Sequence, residues 1–347
     1  MDREEFIERQ VAFQFGTCHA SGPMEKLKYK FNPETDPDPN LNERCDALVK
    51  ELRDLGLKWP VIAQMRDAIR NSNTFPVFQY NRLQGAKNSI LWPLTKFHDL
   101  GKKNFCSLPD PSEPRLQDKK PIVFWRGAVR GFSALEGKYT SVPELFEQYD
   151  KNLIDKHTLM AHLKTVPRYA FVSRYFDTEG FDIGFRQAYR GGGRLERCNE
   201  FRKIARFNVD AVKPAEQLQY KYLISIQGKD VGSSFGWHVG TNSVVMKESY
   251  SWEVFFDCHF RPWEHYVPIA PDFSDIPEKM AWCESNPDAC QAMVDKRHEV
   301  VRLLIDPDIR REALTRVVAR YNDFYERRRE QREQSGSGAV IGDCAAV

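Results

Sequence analysis

No apolar run in this 347-residue chain approaches the roughly 20 residues that a membrane-spanning helix needs. Its first residues, Met1-Asp2-Arg3-Glu4-Glu5, are charged and carry no apolar core of a secretory signal. An excess of one charge is missing too, because 51 basic and 49 acidic residues leave a formal net charge of +2. That balance argues against nucleic acid as a partner, since its binders gather basic residues into a patch or stripe. Two local basic clusters, Arg186–Arg206 and Arg327–Arg332, have glutamate interspersed and read as solvated helix faces. The eight cysteines, at 18, 45, 106, 198, 258, 283, 290 and 344, include no C-x-x-C pair, and no zinc-ligand spacing joins them to histidines. No zinc site is therefore expected of them, and without a signal the thiols are expected to be reduced in a cytoplasmic setting. Neither a P-loop nor a G-x-G-x-x-G fingerprint is present.

What is present describes an α/β protein. Hydrophobic residues make up 41% and charged residues 29%, an ordinary globular balance, and the length predicts about two domains. Residues 1–40 read as a loosely structured entry ending in a proline-rich stretch, Asn32 to Pro39. Leu48, Leu52, Leu55 and Leu57 give a helical pattern from Leu41 to about Arg70. Phe75–Tyr80 and Ser89–Leu94 are short apolar runs at strand spacing. The proline- and charge-rich segment 107–120 is the clearest linker. Beyond it, strands are predicted at Pro121–Trp125, Lys221–Ile226 and Asn242–Met246, with helices at Val142–Lys151 and Lys156–Leu163. Such alternation predicts a parallel, Rossmann-like sheet. From about Asp275 the chain reads as helix (277–283, 287–305, 307–332), and 335–347 as a disordered Gly/Ser/Ala tail.

In open α/β sheets, ligands sit outside the carboxyl ends of the strands. The first such end delivers Arg126-Gly127-Ala128-Val129-Arg130-Gly131, which is either an anion contact or a turn with surface charge. The second delivers Gly228-Lys229-Asp230-Val231-Gly232-Ser233-Ser234, a loop able to hold phosphate on backbone N–H groups or simply to connect strand and helix. A third element, Trp252 to Pro268, is dense in aromatics, and His265 within it is either catalytic or a structural histidine. Asp306-Pro307-Asp308 imitates a metal-binding D-x-D but sits between helical stretches, where it reads as a helix cap.

In order along the chain, these residues resemble glycosyltransferase family 90, the capsule-associated, lipopolysaccharide-modifying and Rumi-type enzymes. Phe75-Pro76-Val77-Phe78, Trp92-Pro93, Phe124-Trp125-Arg126-Gly127-Ala128, Lys221 to Ile224, Gly228, Asp230-Val231, Ser233-Ser234-Phe235, Thr241 to Val245 and Arg261 to Pro268 carry the resemblance. It implies a GT-B architecture of two Rossmann-like domains facing a cleft, with the last helix returning to the first domain. The corresponding expectation is an acceptor-side domain over 1–118, a nucleotide-sugar domain over 119–300, a returning helix over 301–333 and a tail over 334–347. The implied reaction is inverting, metal-independent transfer from a UDP-sugar to a glycan or glycolipid, with contact to a membrane surface where the acceptor is lipid-linked. Protein O-glucosyl or O-xylosyl transfer and non-catalytic nucleotide binding are the alternatives. The resemblance puts a base at Asp67, with Asp99 in reserve. It puts donor contacts at Arg126, Gly127, Arg130, Gly228, Asp230, Val231, Ser233, Ser234, His238, Asn242, Ser243, Lys247, Glu253 and His265. One departure stands out: Rumi-type members carry arginine after the Ser-Phe pair, where this chain has Gly236. Either His238 or Arg130 is then expected to take over that diphosphate contact, or the donor differs.

Overall fold

The computed structural model describes residues 1–19, 39–70, 73–94, 98, 105–135, 137–186 and 204–334. The chain forms two compact units: residues 1–98, 252–259 and 306–347 in one, and 99–251 and 260–305 in the other.

In the first unit the chain opens with a helix, α1 (Arg3–Phe15), rather than the loose entry expected from its polarity. Asp2 caps it by accepting the Glu5 N–H at 2.8 Å. Phe6, Ile7, Val11 and Phe15 form its buried stripe, and Gln10 and Gln14 are buried with them. Those amides disguise the stripe in sequence. They are accommodated because Gln14 donates to the Leu91 carbonyl at 2.9 Å and Gln10 accepts from the His259 ring at 2.7 Å. The second helix, α2 (Pro39–Asp54), stops well short of Arg70, since Gly56 takes φ +88° and Pro60 follows. Three short parallel strands then form a sheet in the order β1 (Ile62–Ala63), β2 (Val77–Gln79), β4 (Ser89–Leu91). Between them β3 (Asn81–Leu83) pairs antiparallel with β11 (Trp252–Val254). A long helix over Pro307–Gln334 packs on α1, and Asn322 ties it to the chain by accepting Lys58 N–H and donating to the Gly56 carbonyl, each at 2.9 Å.

The second unit is built on five parallel strands, β5 (Lys120–Gly127), β8 (Phe181–Phe185), β9 (Tyr220–Ser225), β10 (Val244–Glu248) and β12 (Val267–Ile269). Their spatial order is β12-β10-β9-β5-β8. The chain therefore runs from β5 outward to β8, then returns to β5's other side for β9. A reversal of this kind leaves a crevice outside the carboxyl ends of the two strands that flank it, here β5 and β9. Val123, Trp125, Tyr222, Ile224, Ile226, Val244 and Met246 face the main core, against helices over Val142–Asp150, Lys156–Lys164, Pro167–Tyr175 and Ile276–Ser285. Phe124, Arg126, Leu223, Ser225, Val245 and Lys247 take the opposite face by the alternation of the strand. Strand β8 went unread in sequence because its Phe-Asp-Ile-Gly-Phe pattern interrupts the apolar run with a charge and a glycine. Among the described residues, no helix is long and apolar enough to cross a membrane.

Candidate functional site

At the reversal point the connections leaving β5 and β9 touch. Gly131 has φ +140°, and a Cβ built there would stand 3.1 Å from the Gly228 carbonyl oxygen and 3.3 Å from a Val166 methyl. Arg168, one residue into the helix over Pro167–Tyr175, is half-buried beneath both connections. Its guanidinium donates to the carbonyls of Gln227 at 3.1 Å, Ala128 at 3.2 Å and Ile226 at 3.4 Å. Burial lowers its pKa to about 10. From the end of β10, Glu248 accepts the Gln227 backbone N–H at 2.8 Å and its side-chain amide at 2.6 Å. Glu248 is only 1% exposed, and burial pushes its carboxyl up to about 7 against the lowering effect of Gln227, Arg168 and Lys247.

On the other face, Ser225 donates to the Gly232 carbonyl at 3.1 Å and stands 3.3 Å from the Ser234 hydroxyl. Tyr250 accepts the Gly232 N–H at 3.1 Å, and Asp230 accepts the Val231 N–H at 2.7 Å. Beside them Lys247 is 8% exposed, its ammonium 4.2 Å from the Tyr250 ring centroid, 5.2 Å from Phe235 and 5.5 Å from Tyr266. Among the described residues it has no hydrogen-bond acceptor and no ion-pair partner. Arg130, exposed on the β5 connection, forms no ion pair among them either. Two cations, the glycine-serine connection and the 127–131 turn thus share one end of the sheet, an arrangement ready for an anion.

The expected donor residues divide on this structure. Gly127, Arg130, Gly228, Asp230, Val231, Ser233, Ser234 and Lys247 gather at the carboxyl strand ends. Arg126 starts there, but its guanidinium runs back along the sheet to Asp182 on β8, giving an ion pair at 2.5 Å and a 2.8 Å bond to the Asp182 carbonyl. Asn242, Ser243 and His265 lie at the opposite, amino ends. Ser243 donates to the Tyr220 carbonyl at 2.8 Å, at the start of β9. Asn242 N–H donates to Glu113 at 2.6 Å. His265 Nδ1 accepts the Arg261 N–H at 3.0 Å, and burial lowers the pKa of the ring. His238 leads into the same turn. Among the described residues its Nδ1 finds no partner, and burial with the nearby Arg297 charge takes its pKa down to about 3. Arg297, itself buried, binds that turn together through the carbonyls of Val239, Thr241, Ser243 and His265 at 2.6–3.4 Å. At Gly236, a Cβ would come within 2.3 Å of the Phe105 ring, so the ring occupies the space an arginine side chain would leave through.

Asp67 and Glu253 belong to the first unit. Asp67 follows β1, outside any helix despite the helical pattern, because Gly56 and Pro60 end α2 and Ala68 takes φ +57°. Its carboxylate accepts the Tyr80 hydroxyl at 2.7 Å and stands 3.6 Å from Arg44. Glu253 accepts from Arg82 at 2.8 Å. Asp99 lies outside the described residues. Asp306 caps the last helix, taking N–H bonds from Asp308 at 2.9 Å and Ile309 at 3.0 Å. No three potential metal-ligating side chains gather among the described residues. Arg168, Glu248 and Tyr250 escaped the sequence reading. Glu248 alone carried a signal, as an acid following an otherwise apolar strand.

An open parallel α/β sheet with a cationic, glycine-rich group at its order reversal defines the class. The sequence model of glycosyl transferase family 90 matches residues 189–335, so this part of the chain is similar to that family. O-glucosyltransferase LpsA of Dichelobacter nodosus is 24% identical over 211 residues, 55% of this chain and 66% of its own length. Protein O-glucosyltransferase 3 of Rattus norvegicus is 28% identical over 89 residues, 26% of this chain and 18% of its own. An uncharacterized protein of Invertebrate iridescent virus 3 is 28% identical over 102 residues, 29% of this chain and 9% of its own. The chain therefore spans less than a tenth of the viral relative and just under two thirds of LpsA.

Proposed function

We propose that this protein is an inverting glycosyltransferase that moves a sugar from a UDP-sugar to a glycan or glycolipid acceptor of the lipopolysaccharide or capsule type, without a metal. The observation that carries the reading is the set Arg130, Gly228–Ser234 and Lys247 at the sheet's order reversal, of which Gly228–Ser234 and Lys247 fall inside the region matched by the family 90 model. In such a reaction the barrier is lowered by a base that takes the acceptor hydroxyl proton and by positive charge on the departing diphosphate. Lys247 suits the second task, because a desolvated ammonium without an acceptor gains most from an arriving anion. Arg130 adds a fork for paired phosphate oxygens. Asp67 serves as the base, with the Tyr80 hydroxyl orienting its carboxylate. In a GT-B architecture the second unit is then the donor domain and the first the acceptor domain, working in the cytoplasm with peripheral contact to a lipid-linked acceptor. Transfer to protein is the second reading, favoured by the protein O-glucosyltransferases among the relatives.

The test is a thermal-shift titration with UDP, several UDP-sugars and GDP, with and without EDTA, on the wild type, Lys247→Met and Arg130→Ala. A UDP-selective, EDTA-insensitive rise that weakens in both variants is expected. Absence of any shift in the wild type removes the donor site.

A further inference from the structure

The donor site of the proposed function has no anion-binding motif that holds itself in shape, so something beneath it must fix the β5 and β9 connections against each other. We propose that Arg168 and Glu248 are positioning residues that clasp these two connections into one floor and so set the affinity for the UDP-sugar. This rests on the donor reading of the same site.

The geometry carries it in three ways. Arg168 bridges the two strand ends, with one bond to the Ala128 carbonyl after β5 and two to the Ile226 and Gln227 carbonyls after β9. Glu248 brings in β10, by gripping Gln227 through both its backbone and its side-chain amide. The two connections meet tightly at Gly131 and Gly228, where a built Cβ lies 3.1 Å from a carbonyl oxygen and 3.0 Å from the Arg168 guanidinium respectively. Each group is taken from water at a cost, and a hydrophobic residue of similar volume would serve a purely structural purpose as well. The clasp is placed directly under Gly228, next to Arg130 and the Gly232–Ser234 stretch. It contributes no atom to the ligand and acts by holding backbone N–H groups at fixed spacing.

The test is steady-state kinetics of the full chain with saturating acceptor and varied UDP-sugar, for Arg168→Lys, Glu248→Ala, Glu248→Gln and Gln227→Ala. Losing one arm of the clasp is expected to raise the donor KM about tenfold, with little change in acceptor KM. Glu248→Gln, which keeps an acceptor for the Gln227 N–H, is expected to recover most of it. Asn322→Ala in the other unit is the stability control: its melting temperature falls while its donor KM stays put. A donor KM unchanged in Arg168→Lys and Glu248→Ala, with melting temperature lowered, overturns the proposal and leaves a structural clip. Should Glu248→Ala fail to fold, Gln227→Ala removes only the side-chain arm and decides the matter alone. A wild type that binds UDP while all four variants bind it equally defeats only this inference; a wild type that binds no uridine nucleotide defeats the donor reading and this with it.

Discussion

Glu248 makes an unusual demand on the folded state, and the demand has a sign. Its carboxyl is moved from an ordinary 4.5 up to about 7, chiefly by burial. The folded protein thus keeps a proton there that the unfolded chain has released, so stability falls as pH rises from about 4.5 to about 7 and is level beyond. At about 1.4 kcal/mol per pH unit, the whole displacement is worth about 3 kcal/mol. The charged groups around it are Arg168 from the neighbouring helix and Lys247 from its own strand, with Arg130, Asp230 and Tyr250 acting on Arg168 in turn. Replacement by glutamine removes the titration and keeps the shape. Urea unfolding of wild type and Glu248→Gln should therefore be compared from about pH 4 to about pH 8, taking the difference at each pH so that all other titrations cancel. The wild type is expected to lose about 3 kcal/mol relative to the variant across that range. A flat difference, or one that rises with pH, would refute the reasoning; it would mean that the carboxylate is charged and fully compensated by Arg168 even in acid.

Arg297→Met, measured by denaturant unfolding, is expected to cost about 3 kcal/mol or more, since four carbonyls in a buried turn lose their donor. Gly236→Arg, which restores the Rumi-type residue, should destabilise by about 1–3 kcal/mol through collision with Phe105, and Phe105→Ala should relieve it in the double variant. Asn322→Ala should cost about 1–3 kcal/mol, seen as a lower melting temperature, by freeing Lys58 N–H and the Gly56 carbonyl. Tyr80→Phe leaves Asp67 without its hydroxyl partner. If Asp67 is the base, turnover falls by about tenfold with donor KM unchanged, whereas a loss of donor affinity would contradict that role.

The parallel sheet was legible in sequence because its central strands are continuous apolar runs closed by glycine or polar residues, as at Pro121–Trp125 and Lys221–Ile226. The carboxyl-end connections were legible for the same reason, since a strand end fixes where its connection begins. What stayed hidden depends on partners far away in the chain. Arg126 looks like a free fork until Asp182, 56 residues on, captures it. Arg168 is an ordinary helical arginine in sequence, and its three partners are carbonyls, which leave no mark on residue type. Asn242, Ser243 and His265 sit in motifs that resemble the family, yet only the register of β9 and β10 reveals that they occupy the amino ends. The helix α1 was missed because two glutamines stand where apolar residues were sought, and their partners, Leu91 and His259, lie elsewhere.

The interleaved layout of the units also sets a schedule for synthesis. Every residue of the 99–251 and 260–305 unit is made before the helix that begins at Pro307. The opening unit, although its first 98 residues leave the ribosome earliest, cannot seal Phe15 until Phe324 arrives. At typical translation rates that wait is about 10–40 s. During it α1 holds an apolar stripe with no lid, so a chain stalled before its last helix is marked for chaperones and proteases by its own first turn.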